Sequence, residues 1–264
     1  MSSSPIALAI FDIDGVVRDV GQSYRRAIAD TVEFFTQGEY RPTPVDIDGL
    51  KSEGIWNNDW RASQELIRRF SDETSASPDD DAPDYDAIVD YFQGRYRGQG
   101  QDPTQWDGYI TKEPLLMSAA YLSALSESGM PYGFFSGATR GSAEYILKLR
   151  LGLQAPVLVA MEDAPSKPDP RGLYQTIQLL EQSAPAQLPV LYAGDTVADM
   201  ATIQAARQDF PERHWLGIGV LPPHVQGDAA YQARYEEQLH QAGAAMVVTQ
   251  VEQLTRQAIL PLLS

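Results

Sequence analysis

The sequence predicts an α/β protein, a parallel sheet covered by helices and interrupted by one inserted helical domain. Three observations carry this. Ile6 to Phe11 is an apolar run that stops abruptly at Asp12-Ile13-Asp14-Gly15, as a buried strand does where it leaves a sheet. From Glu113 onward, short apolar runs alternate with segments of helical spacing, the pattern of strands joined by crossover helices. Between these, residues 18–112 carry helical periodicity and no strand pattern. The core is therefore assigned to 1–17 and 113–264 and the insertion to 18–112, and a chain of 264 residues with 43% hydrophobic content has the material for both.

Each element follows from local pattern. Ala27, Ile28, Val32 and Phe35 share a helical face and predict a helix over Tyr24 to Phe35. Arg41-Pro42-Thr43-Pro44 ends it, and further helices are expected from Val45 to Gly54 and from Trp60 to Phe70. The acidic run from Ser71 to Asp86, with two prolines, predicts a surface loop. A helix from Tyr85 to Tyr96 closes the insertion before the Gly-rich cluster of residues 98–108. In the core, helices are expected over Leu115 to Ser128, Ser142 to Leu149, Arg171 to Glu181 and Ala198 to Arg207. Strands are expected over Pro131 to Phe135, Val157 to Ala160, Pro189 to Ala193, Trp215 to Val220 and Ala245 to Val248.

Composition removes several function classes. A formal charge of −16 repels polyanions, which argues against nucleic acid or an anionic membrane surface as partner. A small phosphorylated metabolite needs only one local cation and a metal. The absence of cysteine excludes disulfides, thiolate metal sites and a cysteine nucleophile. With only three histidines, His214, His224 and His240, all late in the chain, oxygen ligands remain, and these suit Mg²⁺. No window reaches the ~18 apolar residues of a membrane-spanning helix. Met1-Ser2-Ser3-Ser4-Pro5 lacks the basic start of a secretory signal, so a cytoplasmic protein is expected.

Four polar clusters punctuate the predicted core: Asp12-Ile13-Asp14-Gly15, Ser136-Gly137-Ala138-Thr139-Arg140, Ser166-Lys167-Pro168-Asp169-Pro170 and Gly194-Asp195-Thr196-Val197-Ala198-Asp199. Any one alone is ordinary turn or cap chemistry. Together, at the carboxyl ends of parallel strands where ligands bind, they point to a site. Two carboxylates one residue apart, Asp12 and Asp14, raise one another's pKa, and burial adds to the penalty. A divalent cation or a shared proton is implied.

In order and residue type, the four clusters resemble the motifs of the haloacid dehalogenase superfamily of phosphotransferases. The resemblance implies a Rossmann-like parallel core, with residues 18–112 as a helical cap of the type found in phosphoglycolate phosphatase and β-phosphoglucomutase relatives. Ser23-Tyr24-Arg25-Arg26-Ala27 and Trp56-Asn57-Asn58-Asp59-Trp60 resemble a small cyanobacterial-type subfamily. By this resemblance Asp12 is the nucleophile and a metal ligand, and Asp14 is the general acid and base whose backbone carbonyl binds Mg²⁺. Ser136 and the amide of Gly137 hold the phosphoryl oxygens, and Lys167 balances the charge. Asp195 supplies a further metal oxygen, and Asp199 completes the metal site one helical turn later.

An Asp at position 14 favours a phosphate ester over a C–Cl or C–P bond, because dehalogenases lack it and phosphonate-cleaving relatives replace it and add a cap lysine. Lys51 is the residue that argues the other way; as an exposed helix lysine it has an ordinary reading. The expected activity is Mg²⁺-dependent hydrolysis of a small soluble phosphomonoester, the alternatives being a phosphomutase or a non-catalytic binding module. Substrate choice is expected from Arg18, Tyr24, Arg25, Trp56, Asn57, Asn58 and Trp60, with Arg140 at the entrance; Arg18 or Arg25 would meet a second anionic group. The tryptophans read equally well as the insertion's own core.

Overall fold

A computed structural model describes residues 4–56, 58–73, 83–100 and 102–263. Six strands, β1 (Leu8–Phe11), β2 (Tyr132–Phe135), β3 (Leu158–Val159), β4 (Val190–Gly194), β5 (Trp215–Val220) and β6 (Met246–Val248), form one parallel sheet in the order β3-β2-β1-β4-β5-β6. This is the Rossmann-like core expected from the sequence. All four residues of β1 and all five of β4 are buried, as central strands of a sheet covered on both faces must be. On one face Leu173, Ile177 and Leu180 pack against Leu8, Ile10, Val190 and Tyr192. On the other side of the sheet order, Met200, Leu221, Tyr235 and Leu239 form a second cluster.

The chain divides into two compact units, residues 1–19 with 114–264, and residues 20–113. The second unit holds α1 (Tyr24–Phe35), α2 (Pro44–Lys51), α3 (Asp59–Glu73) and α4 (Tyr85–Tyr96). Tyr24 stacks on Tyr96 with ring centroids 4.0 Å apart and lies 5.6 Å from Phe92, which places Tyr24 in that unit's core. The first unit adds α5 (Ala119–Glu127), α6 (Arg140–Glu144), which runs on as a π-turn to Arg150, α7 (Arg171–Leu180), α8 (Val197–Asp209), α9 (Ala229–Gln241) and α10 (Arg256–Ile259).

Several elements differ from the sequence expectation for local reasons. The helix expected from Leu115 starts at Ala119, capped by the Ser118 hydroxyl, which accepts from the Tyr121 amide at 3.1 Å. Leu116 is held outside it by donating to the Val17 carbonyl at 2.8 Å. Helix α2 begins at Pro44 because Thr43 and Asp46 form a reciprocal capping box. Helix α3 runs past Phe70 to Glu73; of the rest of the expected loop, residues 74–82 lie outside the described residues, and Tyr85 and Asp86 already belong to α4. Helix α9 had no counterpart in the expectation, because it buries only Tyr235 and Leu239 among glutamines and glutamates, too thin a stripe for an apolar-period reading. No helix among the described residues is long and apolar enough to cross a membrane.

Candidate active site

The register of the sheet gathers the polar clusters. Phe11 pairs with Phe134 of β2 and with Ala193 of β4, so Asp12, Ser136 and Asp195 leave the sheet at one edge. The Asp12 amide still donates to Ala193, at 2.9 Å. The side chain therefore starts one residue past β1, at a position the sheet still hydrogen-bonds.

Lys167 is the centre of charge. Its Nζ lies 2.9 Å from Oδ1 of Asp12 and 2.6 Å from Oδ1 of Asp199, and all three residues are buried. Burial pulls the ammonium's pKa down, but the charges of Asp12 and Asp199 outweigh it and the net shift is upward. Asp199 is also raised by burial, yet the Lys167 charge and hydrogen bonds from Lys167, Thr196 and Tyr192 hold it below its ordinary value. Asp12 has fewer donors. Burial pushes it up to about 7, with Lys167 opposing and Asp199 and Asp14 adding to the rise.

Asp199 sits at the third position of α8, where the Thr196 amide and hydroxyl bind its Oδ2 at 3.0 and 2.6 Å in a second capping box. Its Oδ1 accepts from Lys167 and, at 2.7 Å, from the Tyr192 hydroxyl. Both oxygens thus serve protein donors, and Asp199 is built to hold Lys167. Tyr192 was not among the sequence candidates. Alternation puts Tyr192 and Gly194 on one face of β4, but the packing of Asp199 on that face, where a Cβ on Gly194 would lie 2.3 Å from its side chain, exists only in the fold. The rings of Phe135 and Tyr192 also flank the ammonium, at 5.1 and 5.4 Å.

Gly15 explains how Asp195 comes so near the Asp12–Asp14 segment. Its φ is +74°, and an added Cβ would stand 2.1 Å from Oδ2 of Asp195. Only glycine meets both conditions. Carboxylate oxygens of Asp12, Asp195 and Asp199 lie within 4.8 Å of one another. Ser136 is buried at the end of β2, where its hydroxyl accepts from the Ala138 amide at 3.1 Å, and Gly137 follows it, half-buried.

The remaining candidates are differently placed. Arg18 is fully buried and paired with Asp14, its Nε 2.6 Å from Oδ1, so the guanidinium expected to meet substrate is engaged inside the protein. Arg25 is buried and paired with Asp48. Arg140 pairs with Asp163 and, at 3.4 Å, with Glu144. Trp56 is half-buried and donates from its indole to Glu53 at 2.7 Å, and the Asn58 side chain caps α3 by accepting from the Arg61 amide at 3.0 Å. Asn57 lies outside the described residues. Lys51 is partly buried 2.7 Å from Asp59, so its charge has a partner within its own unit.

A family model described as haloacid dehalogenase-like hydrolase matches residues 6–207. A curated protein of Phytophthora nicotianae, named imidazoleglycerol-phosphate dehydratase, is 29% identical over 253 residues, covering 94% of this chain and 51% of its own length. The chain thus spans about half of that relative. Among solved structures, a phosphonoacetaldehyde hydrolase-like protein from Oleispira antarctica superposes with a TM-score of 0.66 at 16% identity, covering 100% of this chain and 94% of its own. A putative phosphoglycolate phosphatase from Lactobacillus plantarum gives 0.58 at 16% identity, with 95% and 98% covered. At these identities the structures show the shared fold.

Proposed function

This chain belongs to the haloacid dehalogenase-like hydrolases, and from that premise we propose that it is a Mg²⁺-dependent phosphatase acting on a small phosphomonoester through phosphorylation of Asp12. One observation carries the proposal: a buried carboxylate at the end of the central strand, 2.9 Å from a buried lysine and beside two further buried acids. One ammonium is shared between Asp12 and Asp199, and Asp12, pushed up to about 7 by burial, is left short of positive charge. The donor set is all oxygen, which fits a hard divalent cation. Asp12 and Asp195 would hold it with the backbone carbonyl of Asp14, while Asp199 keeps Lys167 in place. Bound Mg²⁺ would neutralise the repulsion between the Asp12 carboxylate and the phosphate dianion.

The chain's own groups then have separable tasks. Asp12 attacks phosphorus as the bond from phosphorus to the ester oxygen breaks, and Asp14 gives that oxygen its proton. In the second step Asp14 takes a proton from water, water attacks phosphorus, and the bond to Asp12 breaks to release inorganic phosphate. Lys167, Ser136 and the Gly137 amide stabilise the charge on the phosphoryl oxygens in both steps. The helical unit, residues 20–113, is read as the cap that selects the leaving group. The field of a −16 chain favours small esters over polyanions. The curated relative's name contains a phosphorylated small molecule, so imidazoleglycerol phosphate belongs in the substrate panel.

The test is a phosphate-release screen over sugar, polyol, amino-alcohol, glycolate and imidazoleglycerol phosphates, with Mg²⁺ and with EDTA. Turnover is expected only with Mg²⁺, and Asp12→Asn should reduce it at least ~10³-fold, as nucleophile removal does in other hydrolases. Asp12→Asn keeping more than a few per cent of wild-type release would remove Asp12 from the nucleophile's role.

A further inference from the structure

Resting on the phosphatase reading above, we propose that Arg18 is a positioning residue for the acid Asp14. Residues Ile13 to Arg18 form a closed turn: the Val17 and Arg18 amides donate to the Ile13 carbonyl at 2.8 and 3.2 Å, and the Gly15 amide donates to the Arg18 carbonyl at 2.9 Å. The returning segment holds the turn from outside. Arg18 bridges Leu115, the Asp19 amide donates to Pro114 at 2.9 Å, and the Leu116 amide donates to Val17 at 2.8 Å. The main chain on both sides of the Arg18 side chain is therefore fixed.

The guanidinium has been withdrawn from water altogether, while the Asp14 side chain keeps 25% exposure. A buried guanidinium carries a large desolvation penalty, and a carboxylate that keeps a quarter of its surface in water does not require one as counter-ion. What the arrangement supplies is direction. Nε donates to Oδ1 of Asp14 at 2.6 Å, and Nη2 lies 2.6 Å from the same oxygen. Nε makes the directed hydrogen bond and Nη2 adds charge beside it, so Oδ1 is held at one place against a rigid guanidinium plane. Proton transfer depends on that orientation, because the acid must lie within hydrogen-bond reach of the leaving oxygen. Arg18 itself moves no proton and touches no reacting atom. Its effect therefore falls on the steps in which Asp14 gives or takes a proton, and not on attack by Asp12.

This is tested with Arg18→Met and Arg18→Lys, each in the wild-type and Asp14→Asn backgrounds, by measuring kcat/KM, which reports the steps up to departure of the leaving group, with Mg²⁺ on an alkyl ester, glycerol 2-phosphate, and an aryl ester, 4-nitrophenyl phosphate. The aryl leaving group departs without a proton. Arg18→Met should lower kcat/KM on the alkyl ester at least ~10-fold more than on the aryl ester, Arg18→Lys should recover part of that loss, and Arg18→Met should add nothing once Asp14 is Asn. If Arg18→Met does not fold, Arg18→Lys carries the same comparison between esters and backgrounds. Equal losses on the two esters, or a further loss in the Asp14→Asn background, overturn the assignment and leave the phosphatase reading standing. Absence of wild-type turnover on every ester overturns both.

Discussion

Replacing Asp12 by Asn in the metal-free protein is expected to stabilise it at pH 8 and to change nothing at pH 4. Burial raises the Asp12 carboxyl from 3.8 to about 7, against the pull of Lys167. Because the folded-state value lies above the unfolded one, the contribution to stability is fully present below about pH 4 and is lost as the pH rises through 7. At ~1.4 kcal/mol per pH unit, the rise from 3.8 to about 7 removes roughly 4 kcal/mol by pH 8. Asn keeps the shape and does not ionise. At ~2–4 °C per kcal/mol for a unit of this size, metal-free Asp12→Asn should melt about 10 °C above wild type at pH 8. Adding Mg²⁺ should reverse the order by stabilising the wild type through binding, while the variant, having lost a ligand, responds less. Thermal melts at pH 4, 6 and 8, in EDTA and in Mg²⁺, make the comparison. A variant no more stable than wild type at pH 8 in EDTA would refute the view that Asp12 is held ionised against its environment.

Lys167→Met should leave Asp12 and Asp199 buried without their cation; a loss of about 3–5 kcal/mol in urea unfolding is expected, and a loss below ~1 kcal/mol would show that the pair is solvated or otherwise compensated. Gly15→Ala places a Cβ against Asp195 at a backbone angle that alanine resists, so phosphate release should fall sharply and stability by about 1–3 kcal/mol; full activity would mean that Asp195 need not stand there. Asn58→Ala removes the cap of α3 and should lower the melting temperature with a cost of about 1 kcal/mol, leaving the ranking of substrates unchanged. A changed ranking would return Asn58 to the specificity site.

How much was legible in the sequence follows from how local each signal is. Strands β1, β2 and β4 and the clusters after them are written as apolar runs ending in Asp, Ser or Gly, so they could be read directly, and β5 was found as an apolar run. The four-residue strand β2 and the two-residue strand β3 were found for the same reason, each being an apolar run between helices. Helix α9 was not, because its few buried residues make no period. Helix ends moved where a cap decided them: Ser118 and the Thr43–Asp46 box act through a few local hydrogen bonds, to which apolar periodicity is blind.

For the proposed site, the sequence alone singled out the candidates: Asp12, Asp14, Lys167, Asp195 and Asp199 stand out by type and spacing within the four polar clusters. Only the tertiary structure decided how their charge is shared. Whether Lys167 serves Asp12, Asp199 or both, and that Tyr192 completes Asp199, depends on side chains brought together from strands and helices far apart in the chain. The same holds for the arginines. Arg18 and Arg25 read as substrate ligands because a sequence shows a charge without its partner; burial against Asp14 and Asp48 engaged both inside the protein, since a guanidinium taken out of water must bind the nearest carboxylate, and which one is nearest is fixed by the fold.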